Sequence, residues 1–272
     1  MTIPMQWALR RRMMMAALGS GIDVAALSIT YTGAYTDYGM VTMSDGARYR
    51  LLAFTSSGTL SIEQPVNCEV CVVGGGANGA SAGGAGGAGG YLKNQAITKY
   101  NGGAVVVGAA QAASSVGEVS VEAVSGKNGG TGGGGSGNDT PGVGDGISKF
   151  PFGDESYSLW TGKPHCAGGG AVIMFYESAA GGSDWYSGGD GGTNGGNGNN
   201  STYAGTTIGT SGTPGKGGTY GGGSGGGFGS GGSFANGGNA TYYGSAGGGS
   251  RATQGSGYQG IVYIRIPEEQ AA

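Results

Sequence analysis

The chain has 272 residues, of which 69 are glycine and 11% are charged, and its formal net charge is −3. Without a basic face to neutralise phosphates, nucleic acid is not expected as a partner, and no apolar run approaches the roughly 20 residues that cross a bilayer as a helix, so membrane insertion is not expected either. Apolar residues large enough to pack are scarce outside the two ends, which restricts the protein to one small core.

The chain opens with a cationic, methionine-rich segment, MQWALRRRMMMAALGSG, bounded by Pro4 and by Gly19 and Gly21. It is expected to form a short helix. Methionines suit an adaptable apolar face against a partner, and the arginines suit acidic groups there. Trp7, Arg10, Arg11, Arg12, Met13, Met14 and Met15 are therefore candidate attachment and assembly residues, set against an arm folded onto its own domain. The apolar stretch behind the arginines is too short for a secretory h-region, so synthesis in a cytoplasm without a secretion signal is expected.

Residues 22–62 turn to strand patterning: 26–31, 40–43, 48–55 and 59–62, with a hairpin turn at Asp45-Gly46 and a second turn at Ser56-Ser57-Gly58. A further strand, 66–73, places Val66, Cys68, Val70 and Val72 on one face. In that strand the CxxC of Cys68 and Cys71 points its sulfurs to opposite faces. A zinc site completed by His165 and Cys166 is thereby disfavoured against three small buried hydrophobes, and the odd count of 3 cysteines argues against a disulfide framework. Residues 91–98, 104–108 and 118–124 add shorter candidates.

Only six glycines precede Pro65; the rest lie between Gly74 and Gly260, often with a three-residue beat, as in GGAGGAGGY at 83–91 and GGSGGGFGSGGSFANGGN at 222–239. A helix of the polyproline-II type has three residues per turn and no internal hydrogen bonds, so its N–H and C=O groups point sideways and need partners. Glycine on two of three faces lets neighbours approach closely enough to supply them. Packed polyglycine-II helices are expected, an irregular glycine-rich loop mass being the alternative; with 7 prolines, collagen is excluded. The final strand, 260–267 (GIVYIRIP), alternates Val262, Ile264 and Ile266 against Ile261, Tyr263 and Arg265 and has to return to the early strands to cover its apolar face. The expected fold is all-β: a small antiparallel β-sandwich base (22–125 with 257–267) carrying an inserted glycine-rich block (74–90 and 126–256).

The series ITYTGAYTDYGMVTMSDGARYRLLAFTSSGTLSI, then CEVCVVGGGANGASAGGAGGAGGY, VVVGAA and the terminal GSGYQGIVYIRI resemble the glycine-rich domain proteins of phages and prophages. The resemblance spans nearly the whole chain and departs from the family at Ala109-Ala110 and in the aromatic stretch 150–186. It implies a virion structural role, and the glycine block is similar to that of tail-fibre-tip adhesins of T-even-like phages, whose loops bind a host receptor. The partners so implied are other virion proteins, through residues 1–21, and a host cell-surface polysaccharide or protein. A homo-oligomer is expected, since fibre attachment usually imposes closed symmetry.

Within 150–186 lie two of the three tryptophans. Rigid amphipathic rings are what recognition loops use, so Tyr157, Trp160, Trp185 and Tyr186 are the candidate receptor-binding residues, against a role in capping the lattice. Tyr203, Tyr220, Tyr242 and Tyr243 form a second candidate patch. No catalytic residue, metal or cofactor is expected. The single His165 completes no triad, the GTPGKGG stretch at 212–218 lacks the first glycine and the Ser/Thr of a phosphate loop, and Asp154, Glu155, Glu177, Asp184 and Asp190 read as solvated loop acids.

Overall fold

The structure is a computed structural model that describes residues 21–80, 87–123, 150–154, 165–169, 171–175, 185–189, 236–249 and 253–270. The expected N-terminal helix falls outside them, as do Tyr157, Trp160, Tyr203 and Tyr220.

Among the described residues the protein is all-β and antiparallel, with one 3-10 turn at Pro151–Gly153 and no α-helix. Ten strands run β1 (Ile29–Tyr31), β2 (Tyr35–Thr42), β3 (Arg48–Phe54), β4 (Gly58–Val73), β5 (Leu92–Val106), β6 (Ser115–Val116), β7 (Val119–Ser120), β8 (Ala171–Phe175), β9 (Trp185–Gly189) and β10 (Ile261–Pro267). Eight of them form one sheet in the order β2-β3-β10-β4-β5-β6-β7, with β1 on β4; β8 and β9 form a separate two-stranded sheet.

The Asp45-Gly46 turn joins β2 to β3 as its sequence dictates: the Met43 N–H donates to the Ala47 carbonyl at 2.9 Å, and Gly46 sits at φ +84°. Residues 59–62 and 66–73 are instead parts of a single strand. The register with β5 slips between Ser61 and Val66, and Pro65 falls in that bulge, where its missing N–H breaks no ladder bond.

Alternation along β4 and β10 divides the interior in two. Val66, Cys68, Val70 and Val72 join Val262, Ile264 and Ile266 in the larger core, together with Val24, Leu27, Phe54, Leu60 and Val116. Cys71, Val73, Ile261 and Tyr263 point the other way, into a smaller cluster with Leu51, Ala53 and Cys166. In the larger core the Tyr100 hydroxyl is buried without a hydrogen-bond partner. Replacing it costs no partner its bond, so Tyr100→Phe should raise stability by about 1 kcal/mol. A lower denaturant midpoint in that variant would contradict this.

The chain leaves the sheet at Val73, returns to it through β5, β6 and β7, and returns a last time at Ile261, the direct antiparallel neighbour of Val73. Between them the glycine segments bond sideways in a regular cycle. The N–H groups of Gly74, Gly75 and Gly76 donate to three different segments, at Tyr91, Ala112 and Tyr258; three residues on, Ala77 donates to Ala88 and Gly79 to Gly255, returning to the first and third of them. Gly87 and Gly90 donate to Gly247 and Gly244, and Gly255 and Tyr258 to Gly248 and Ser245, all at 2.7–3.0 Å. A methyl group added at Gly76, Gly79, Gly247, Gly255 or Gly257 would overlap a neighbouring segment's carbonyl oxygen, with φ in the ordinary range at each. Glycine is needed there for closeness, not for its backbone freedom.

Candidate functional site

Of the receptor-binding candidates, Trp185 and Tyr186 lie on β9, in register with Phe175 and Met174 of β8. The apolar run from Val172 onwards is thus the partner strand of the aromatic pair. Both belong to one hairpin instead of an open loop. Tyr157 and Trp160, and the attachment residues Trp7, Arg10, Arg11, Arg12, Met13, Met14 and Met15, lie outside the described residues.

The described residues gather their chemistry on the smaller-cluster face of the sheet. Arg265 lies between the rings of Tyr49 and Phe152, at 4.3 and 4.4 Å from their centroids, and donates to Glu69 at 2.7 Å. Two further bonds fasten this part of the insertion: Ser44 N–H to Asp154 Oδ2 at 2.9 Å and Phe152 N–H to Asn94 Oδ1 at 3.2 Å. Asp154, read from sequence as a solvated acid, is therefore buried as a structural acceptor.

On the same face of the sheet, His165 is fully buried, with Nε2 3.0 Å from the Tyr263 hydroxyl and its ring edge-on to Tyr242 at 5.0 Å and 85°. The next residue, Cys166, holds a left-handed φ of +67° and donates its N–H to the Tyr243 carbonyl. Gly244, at φ +69°, passes so close that an added methyl would lie 2.8 Å from Cys166 Sγ and 2.9 Å from Val73 Cγ1. Tyr242, Tyr243 and Tyr258 continue outward from this buried pair, with ring centroids 5.5 and 5.6 Å apart. Only Tyr242 and Tyr243 were singled out by their recurrence between glycine runs. Tyr38 and Tyr258 carried no periodic signal that distinguished them.

Burial sets the ionisation here. It holds the His165 imidazole neutral, with its pKa lowered to about 3, and it pushes the Tyr263 phenol well above 10. The Cys68 thiol is pushed up to about 12, and Cys71 is also raised. Cys68 and Cys71 lie in different cores on opposite faces of β4, so they cannot share a ligand. Among the described residues no cluster of three or more His, Cys, Asp or Glu is placed to hold a metal.

The depressed His165 pKa makes stability depend on pH. The unfolded chain takes up a proton near pH 6.5 and the folded one near 3, so the group's contribution is complete above 6.5 and is lost as pH falls between those values, at about 1.4 kcal/mol per unit. From pH 7 to 5 the loss should be about 2 kcal/mol by denaturant titration. A His165→Gln variant should lack it; an equal loss in that variant would contradict the assignment.

No protein-family model, no curated protein and no solved structure matches the chain. No described helix is long and apolar enough to cross a membrane.

Proposed function

We propose that the protein is a structural component of a phage virion, a tail-fibre, spike or fibre-tip protein in which a β-sandwich base carries packed polyglycine-II helices that present loops to the host surface. The observation that carries this reading is the hydrogen-bond cycle along residues 74–79, which visits three neighbouring segments in turn and repeats after three residues. A polyglycine-II helix, with three residues per turn and backbone groups that bond sideways, would produce such a cycle. The bent strand β4 and a larger core drawn from both ends of the sheet support a base closed as a sandwich. A rigid lattice projecting from such a base suits presentation, not turnover, and the resemblance of nearly the whole chain to phage glycine-rich domain proteins supplies the setting.

In this reading residues 1–21 dock onto other virion proteins in an oligomer, and Tyr157, Trp160, Trp185 and Tyr186 meet a host polysaccharide or protein. The test is host-cell adsorption of particles whose protein carries alanine at those four positions. Deleting the whole stretch would not serve, because His165 and Cys166 lie in the buried cluster. Reduced adsorption supports the receptor role. Unchanged adsorption refutes it and leaves an architectural head-fibre or decoration protein, a second reading that the pairing of β9 with β8 favours.

A further inference from the structure

We propose that Tyr38, Tyr242, Tyr243 and Tyr258 form a binding surface for an uncharged hexopyranose chain, at a place separate from the four aromatic residues assigned to host contact above. Tyr38 and Tyr258 are two of the three exposed large hydrophobic residues among the described ones, at 42% and 38%. Tyr242 and Tyr243 meet at 54° and Tyr243 and Tyr258 at 73°. The three rings make a stepped row and not a flat stack. Tyr38 lies at the bulge in β2, two residues beyond Thr36, whose register partner Ala53 pairs on its other side with Tyr263, and its phenol helps to raise the pKa values of Tyr243 and Tyr263.

A pyranose ring offers an apolar C–H face bordered by hydroxyls, and a phenol answers both, the ring packing on that face and the O–H bonding at the border. Two arginines among the described residues are already engaged. Arg50 pairs with Asp37 and reaches the carbonyls of Val24 and Leu27, beside the larger core on the opposite face. Arg265 is held by Glu69 and enclosed by Tyr49 and Phe152. Among the described residues, then, the surface offers phenols and no unpaired arginine, which fits a neutral sugar better than an anionic one. Beneath it, the bond between His165 and Tyr263 and the edge contact of His165 with Tyr242 fix the platform before binding, so little ordering entropy is lost on association.

Saturation-transfer NMR of the full chain with maltohexaose, cellohexaose and hexa-N-acetylchitohexaose, each alone, tests this. Transfer to the ring C–H protons of at least one sugar is expected. Tyr38→Ala with Tyr258→Ala should weaken that binding about tenfold or more, from two lost ring contacts. Both residues are exposed, so the thermal midpoint should hold, while Trp185→Ala should bind like the parent. Absence of transfer from all three sugars, undiminished binding in the double variant, or loss of binding in Trp185→Ala would each overturn the proposal. So would sedimentation showing that the double variant turns a dimer into a monomer, which would assign the surface to a second copy. Because binding is read on the isolated protein and host contact on adsorbed particles, either can fail without the other.

Discussion

A chain ending at Gln259 is expected not to fold. Strand β10 is the last of the described strands in chain order, yet it lies in the interior of the sheet, paired with β3 from Val262 to Pro267 and with β4 from Ile261 to Arg265. Its removal opens two strand edges in the middle of the sheet and strips Val262, Ile264 and Ile266 from the larger core and Ile261 and Tyr263 from the smaller. At about 2 kcal/mol for each buried side chain, the loss is about 10 kcal/mol, comparable to the whole stability of a domain. Far-UV circular dichroism of the truncated chain should show no cooperative melt. A peptide covering residues 253–270, added in trans, should restore it in part, and the point variant Ile264→Ala should cost about 3 kcal/mol. A truncated chain that still melts cooperatively would show that the sheet closes without its final strand.

The second large effect concerns the glycine segments and turns on its sign. Where a glycine only adds freedom to the unfolded chain, alanine stabilises by about 0.4–1 kcal/mol. Gly21, with nothing within 4 Å of an added methyl, is such a position. At Gly255 the methyl would overlap the Gly238 carbonyl oxygen, and at Gly76 that of Ser245. The obstacle is backbone and cannot rotate away, so Gly255→Ala and Gly76→Ala should each cost about 3 kcal/mol, the upper range for overpacking. Their combination should cost more than either alone. Thermal and denaturant midpoints of the three single variants, measured side by side, decide the matter. If all three move upward together, the segments are not close-packed, and the lattice account of the glycine block fails.

How far these features could be read in advance depends on their range. The two faces of β4 and β10 were legible because a strand turns alternate side chains to opposite sides, a property of residues two apart. The turn at Asp45-Gly46 was legible for the same local reason. The separation of 59–62 from 66–73 does not hold: the two runs belong to one strand, and a bulge carries Pro65 within it. The burial of Asp154 and His165 had no local mark, since each is defined by partners far along the chain, Ser44 for one and Tyr263 for the other. The tyrosine surface was half visible, through Tyr242 and Tyr243, and was completed only when Tyr38 and Tyr258 came from elsewhere.

By itself, then, the sequence determined an all-β chain with a glycine block set between strands, because backbone sterics and side-chain alternation act between near neighbours. Tertiary structure alone decided that β10 enters between β3 and β4, and that segments around residues 76, 247 and 255 lie against one another. Those choices follow from covering two apolar faces and pairing every buried amide at once, conditions that only distant parts of the chain can satisfy together.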